Sequence, residues 1–283
     1  MAVAQRSPDA APVRIDPHDT IIASLVEGQP NWTHPRARLA RAFLADDFLL
    51  FGQPIVSLGE AGRRVEFVEI LVRLREEEAL CLPPGSFLPT LESHGMMPLF
   101  DRWVVRRAAR WLAERGLESR PGLFLNLAHD TLVDPRFPTS VARTLEYTGI
   151  PPARVCFEVP ELMAAQDPAV VLAAVRAFRA LGCQVALASC GREPGYFAPQ
   201  VLAECSFVKI DGGLVVDAEH DFASAAWLGA LLAACRAAGA RVIAEYVESD
   251  AALERAGELG VTLAQGFAIA RPVPIAELPA VIP

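Results

Sequence analysis

The feature that most constrains this chain is a regular alternation between short apolar runs and longer segments with helical periodicity. Segment 101–115 is one example of the second kind, because its apolar residues recur at helical spacing. Strands and helices that alternate in this way form a parallel sheet covered by helices, so we predict an α/β protein. The eight apolar runs are 48–56, 64–71, 123–127, 155–159, 184–188, 207–210, 242–245 and 263–267.

Length and composition narrow this prediction. The chain has 283 residues, a usual size for a single (β/α)8 barrel. Its 52% hydrophobic and 21% charged residues are typical of a globular protein and exclude a disordered chain. Five prolines among the first 35 residues predict a flexible leader over 1–35. We therefore expect the barrel domain over 36–283, beginning with a lead-in helix at 36–46.

Charge, cysteine spacing and hydropathy exclude several classes of function. The 26 basic and 34 acidic residues give a net charge of −8, which argues against a nucleic-acid partner. The six cysteines form no C-x-x-C pair of the kind that binds zinc or carries out redox chemistry. The longest apolar stretch, 222–235, is too short to span a bilayer, and no secretory signal is apparent. We therefore expect a cytoplasmic protein without membrane insertion.

Polar residues at the ends of the apolar runs predict a functional site. The carboxyl ends of barrel strands surround one pocket, and buried polar groups are costly unless they converge on partners. Hard oxygen ligands suit Mg²⁺ or Mn²⁺, while a lysine and amides suit a phosphate, so the pattern indicates a phosphoester site. The residues concerned are Gln53, Glu69, Asn126, Glu158, Lys209, Asp211, Glu245 and Gln265.

Several motifs in order carry a resemblance to a known family. The chain resembles the EAL domain, the cyclic di-GMP phosphodiesterase family, over residues 48–278. Glu69-Ile70-Leu71-Val72-Arg73 stands in place of the family's E-A-L-x-R. The other matching segments are Gln53-Pro54-Ile55-Val56, Asn126-Leu127, Phe157-Glu158-Val159-Pro160-Glu161, Lys209-Ile210-Asp211, Ala244-Glu245-Tyr246-Val247-Glu248, Gln265-Gly266 and Arg271-Pro272.

The resemblance implies a modified (β/α)8 TIM-type barrel that linearises cyclic di-GMP with a pair of divalent metals. In that reading Glu69, Asn126 and Glu158 are similar to metal ligands, and Lys209 to the lysine that positions water and phosphate. Glu245 resembles the residue that reaches the second metal, with Glu248 and Glu161 as supporting carboxylates. Gln53, Arg73 and Gln265 are similar to positions that contact the dinucleotide. The residues that we predict to bind the ligand are Gln53, Arg73, Lys209, Asp211, Tyr246 and Gln265.

One departure from the family decides the expected activity. Active members carry D-D-F-G-T-G where this chain reads Ala188-Ser189-Cys190-Gly191-Arg192-Glu193. Ala188 and Ser189 thus replace the aspartate pair, and neither is a good ligand for a hard dication. We predict a non-catalytic domain in which Glu69, Lys209, Glu245 and Glu248 are remnants of catalytic machinery. We expect no cofactor, and Mg²⁺ or Mn²⁺ only if residual activity exists.

Three functions stay open at this point. The first is a cyclic di-GMP receptor or signalling adaptor, which the persistence of the nucleotide-facing matches favours. The second is a protein-interaction regulator that ignores nucleotide, and the third is a residual metal-dependent phosphodiesterase. Tyr246, which replaces a family glycine, could narrow the pocket or offer a stacking face. The sequence leaves open the identity of a protein partner and a homodimer.

Overall fold

A computed structural model describes residues 32–58, 63–76, 80–115, 121–191 and 198–278. The chain divides into two compact units. Unit 1 comprises Met1–Leu49 and Val72–His94, and unit 2 comprises Leu50–Leu71 and Gly95–Pro283. Residues 1–31 of the predicted leader lie outside the described residues.

Unit 1 is built around helix α1 (Pro35–Ala45), which occupies the segment for which we predicted a lead-in helix. Arg38 of this helix pairs with Asp47 at 3.0 Å and donates to the Arg75 carbonyl at 2.6 Å. The unit also contains β3 (Cys81–Leu82) and α2 (Pro84–Ser93). One arginine therefore fixes α1 against two backbone segments of this unit.

Unit 2 is an eight-stranded closed barrel, which confirms the predicted α/β barrel. Strand β1 (Phe48–Ser57) begins in unit 1, and strand β2 (Arg64–Arg75) ends there. The barrel order is β1-β9-β8-β7-β6-β5-β4-β2, and β2 closes it by pairing with β1. A short β10 (Val273–Pro274) pairs with β1. The remaining strands are β4 (Gly122–Asn126), β5 (Val155–Pro160), β6 (Gln184–Cys190), β7 (Phe207–Ile210), β8 (Arg241–Ala244) and β9 (Leu263–Ala264).

Helices separate the parallel strands, and local capping explains several of their ends. The Asp221 and Ser249 side chains accept backbone N–H groups at the starts of α10 and α11. Within the described part of the chain, no helix is long and apolar enough to cross a membrane. The helices of unit 2 are α3 (Met97–Glu114), α4 (His129–Leu132), α5 (Phe137–Thr148), a 3₁₀ turn (Pro152–Arg154), α6 (Glu161–Gln166), α7 (Pro168–Ala180), α8 (Pro199–Leu202), α9 (Gly212–Asp217), α10 (Phe222–Ala238) and α11 (Asp250–Glu258).

The predicted parallel arrangement holds for the barrel strands β2 and β4 to β9, but it is wrong for β1. Strand β1 runs antiparallel to β9, with Val56 opposite Ala264. Ser57 and Arg64 are separated by only six residues, 58–63. A parallel crossover needs about a dozen residues or more, so the chain must reverse direction between the two strands.

The barrel interior is closed by a layer of apolar side chains, one from each barrel strand. Phe67, Phe124 and Phe207 meet in this layer with ring centroids 5.0 to 5.2 Å apart. We call these eight residues the core layer: Ile55, Phe67, Phe124, Cys156, Ala186, Phe207, Ile243 and Leu263. Because strand residues two positions apart share a face, the core layer fixes which residues face inward in the next layer.

Candidate functional site in the barrel

Directly beyond the core layer lies a second set of inward-facing positions. Each position lies two residues after the core-layer residue of the same strand. The exception is the antiparallel β1, where the position lies two residues before Ile55. We call this set the polar ring: Gln53, Glu69, Asn126, Glu158, Ala188, Lys209, Glu245 and Gln265. Seven of these eight side chains are polar, and Ala188 alone is apolar. All the residues that we predicted from the strand ends, except Asp211, therefore belong to the polar ring.

Lys209 lies at the centre of the polar ring and is completely buried. Its Nζ lies 2.8 Å from Glu69 Oε2, 2.8 Å from Glu158 Oε2 and 3.0 Å from Glu245 Oε1. Burial by itself would lower the pKa of Lys209, but the three carboxylates raise it well above its usual value. An ammonium has three donors, so the three carboxylates match its donor capacity.

Glu69 is the most extensively hydrogen-bonded carboxylate of the polar ring. Asn126 Nδ2 donates to Glu69 Oε1 at 2.9 Å, and Gln265 Nε2 donates to Glu69 Oε2 at 2.7 Å. Burial raises its pKa, but Lys209 and these amides outweigh burial and lower it. Gln53 extends the network, because its Oε1 lies 3.2 Å from Gln265 Nε2 and its Nε2 donates to the Ala270 carbonyl. Glu69 is therefore held as a carboxylate.

Glu158 is the carboxylate of the polar ring whose negative charge is least well stabilised. Burial and the neighbouring Glu69 raise its pKa to about 8, against the opposing effect of Lys209. Its Oε1 is buried and has no hydrogen-bond partner among the described residues. Burial also raises the pKa of Glu245. The buried cluster thus carries less negative charge near neutral pH than three free carboxylates would.

The segment that replaces the family's aspartate pair contacts neighbouring glutamates through its backbone amides. Ala188 lies opposite Pro160, and the Ser189 amide donates to Glu245 Oε2 at 3.3 Å. Ser189 has a φ of +55°, beside a register shift between β6 and β7. The Gly191 amide donates to Glu161 Oε2 at 3.0 Å. Arg192 and Glu193 lie outside the described residues.

These residues do not fit a pair of divalent metals. Glu69, Glu158 and Glu245 each offer an oxygen, and these oxygens lie within 4.8 Å of one another, so the trio could hold one metal ion. The orphaned Glu158 Oε1 is an acceptor suited to that ion. The same carboxylates, however, already surround the Lys209 ammonium. Ala188 and Ser189 would add no carboxylate to hold a second ion.

The other predicted site residues occupy different settings. Asp211 begins α9, where its Oδ1 accepts the Gly213 amide at 2.8 Å. Glu248 is exposed, and Tyr246 is 61% exposed with a φ of +53°. Arg73 belongs to unit 1, where its Nη1 donates to the Val72 carbonyl at 2.9 Å.

Sequence reasoning missed Asp101, a buried acid on α3. Its Oδ2 accepts the Thr131 hydroxyl at 2.6 Å and the Ala128 amide at 3.0 Å, which anchors the segment after Asn126. Burial raises the pKa of Asp101 to about 6. The sequence did contain a sign that Asp101 is buried, because this acid lies between Phe100 and Trp103 in the apolar stripe of α3.

Two solved structures superpose on most of this chain. The PaMucR phosphodiesterase in complex with c-di-GMP superposes with a TM-score of 0.78 and 27% identity, covering 87% of this chain and 100% of that one. The Xanthomonas citri FimX EAL domain in complex with c-di-GMP superposes with a TM-score of 0.75 and 25% identity, covering 92% and 97%.

Sequence comparisons give the family. The cyclic di-GMP phosphodiesterase PdeB of Shewanella oneidensis is 31% identical over 251 residues, which are 88% of this chain but only 29% of PdeB. The chain therefore spans less than a third of that relative. The EAL domain family model matches residues 36–272. With most of its length matched, this chain belongs to the EAL domain family.

Proposed function

We propose that this EAL domain is a non-catalytic receptor that binds cyclic di-GMP and passes its occupancy to a protein partner. One observation carries the proposal. Seven positions of the polar ring keep polar side chains, while the eighth, Ala188, has only a methyl group where the resemblance implies a metal-binding aspartate.

The missing carboxylates bear directly on chemistry. A two-metal site stabilises both the attacking and the leaving oxygen of a phosphoester displacement. Removing one preorganised electrostatic contact typically lowers a rate by roughly a hundredfold or more. Ala188 and Ser189 together remove two such contacts. We therefore expect negligible turnover.

The charge balance of the polar ring limits the repulsion that an anionic ligand would meet without metals. Three carboxylates and one ammonium give a formal charge of −3 + 1 = −2, and a protonated Glu158 reduces it to −1. This lowers the repulsion that an anionic phosphodiester would meet. The amides of Gln53 and Gln265 add neutral hydrogen-bonding groups at the same level. The solved EAL structures that hold c-di-GMP make this ligand the first candidate.

A residual metal-dependent phosphodiesterase is the second candidate, because the glutamate trio could hold one ion and a named relative is a phosphodiesterase. The test is a hydrolysis assay with Mg²⁺ or Mn²⁺ on the wild type and on Ala188→Asp/Ser189→Asp. We expect no linear dinucleotide from the wild type and measurable product from the double variant, because the other ring ligands are in place.

The matched control is Ala188→Asn/Ser189→Asn, which adds similar volume without charge and should stay inactive. Turnover by the wild type that Glu69→Ala abolishes would establish the phosphodiesterase instead. A receptor must also bind. A calorimetric titration without heat at high cyclic di-GMP concentration would leave the protein-interaction regulator as the remaining function.

A further inference from the structure

Tyr246 combines exposure with an unusual backbone conformation beside the polar ring. Its neighbours Glu245 and Val247 are 8% and 3% exposed, whereas Tyr246 is 61% exposed. Its φ of +53° lies in the left-handed region, which glycine adopts at much lower cost. An aromatic residue here is therefore unfavourable for stability and exposed to solvent. Because strained backbone clusters at functional sites, this combination indicates a role in ligand binding.

Close backbone packing fixes the segment that carries Tyr246. A Cβ on Gly212 would lie 2.3 Å from the Glu245 carbonyl oxygen, and one on Gly266 would lie 2.1 Å from the Val247 carbonyl oxygen. The Val247 amide also donates to the Gln265 carbonyl at 3.0 Å. The segment is thus held between the loops that follow β7 and β9. Tyr246 has little freedom to move its backbone away from the carboxyl end of the barrel.

We propose that Tyr246 is a ligand-binding residue whose ring stacks on one purine base of a cyclic dinucleotide bound over the polar ring. The inference rests on the proposed receptor function and names the part of the ligand that this residue recognises. Aromatic rings stack on bases without needing a metal, which suits a site that does not fit a metal pair. Phe267, on the neighbouring loop, already carries the Arg271 guanidinium 4.3 Å from its ring centroid.

The test is a calorimetric titration of the full chain with cyclic di-GMP in the presence of a chelator. Tyr246→Phe keeps the ring and should bind within about twofold of the wild type. Tyr246→Ala and Tyr246→Gly should bind roughly fivefold to 150-fold more weakly, the range that loss of one stacked base gives. Tyr147→Ala is the matched control, because Tyr147 is an 82% exposed tyrosine on α5.

Thermal unfolding separates lost binding from lost folding. Tyr246→Gly relieves the left-handed strain, so its Tm should be no lower than that of the wild type. Unchanged affinity in Tyr246→Ala, with clear binding by the wild type, would overturn this inference and leave the receptor intact. Absence of binding by the wild type would overturn the inference and the proposed receptor together.

Discussion

At the residue scale, Lys209 explains how three glutamates remain together in a barrel interior. Its ammonium lies within 3.0 Å of all three carboxylates. An unpaired charge at this depth would be strongly destabilising, so the lysine and the amides around Glu69 are structural requirements of the cluster.

Asp101 gives a pH-dependent prediction at the same scale. Its pKa is about 6 in the folded chain against 3.8 in the unfolded chain, so the folded state binds the proton more tightly. Ionisation of Asp101 therefore lowers stability as pH rises from about 4 to about 6, by about 3 kcal/mol in total. Asp101→Asn keeps an acceptor for Thr131 and Ala128 and should lose this pH dependence in urea unfolding.

Asp130→Asn is the control for Asp101, since Asp130 is an exposed acid two residues after Ala128. Its stability should follow the wild-type pH profile. If Asp101→Asn follows that profile as well, burial does not raise the pKa of Asp101 as described.

At the scale of elements, the loops after β8 and β9 hold the site through backbone contact. A Cβ on Gly266 would lie 2.1 to 2.6 Å from the Val247 backbone. Gly266→Ala should therefore destabilise the fold by at least about 3 kcal/mol, because a backbone atom cannot give way as a side chain can. Thermal unfolding would register this as a Tm lowered by roughly 6 °C or more.

Gly229→Ala supplies the contrasting control within α10. A Cβ there meets nothing within 4 Å, and alanine is the better helix former, so this variant should gain about 1 kcal/mol. If Gly266→Ala has the wild-type Tm, the close packing of the two loops is not what fixes Glu245 and Tyr246.

The elements also show how far sequence reasoning reaches. Apolar runs predicted all eight barrel strands, because buried strands produce continuous apolar stretches. Polar residues at their ends predicted the ring members that the structure brings together. The direction of β1 was missed although the six-residue connection to β2 implied it.

The sequence could not show that Lys209 pairs with three glutamates. Its contacts with Glu69, Glu158 and Glu245 depend on strand register and on distances of a few ångströms, which spacing along the chain does not specify. Asp101 was overlooked for a related reason. Its partners Ala128 and Thr131 lie 27 and 30 residues away, on an element whose position follows from tertiary packing.

At the scale of the whole molecule, the chain is an EAL domain whose barrel holds seven polar side chains and Ala188 in the polar ring. The net charge of −8 gives the chain no general attraction to anions. Under the proposed function, cyclic di-GMP is therefore recognised by local groups, namely the amides of the polar ring and the exposed Tyr246. Binding of this kind should be independent of divalent cations.

The most direct test of the account is a calorimetric titration of cyclic di-GMP into the wild-type chain, carried out with EDTA and repeated with Mg²⁺. We expect saturable binding with the same affinity in both buffers and recovery of intact cyclic dinucleotide afterwards. Binding that appears only with Mg²⁺, with linear dinucleotide recovered from the cell, would contradict it.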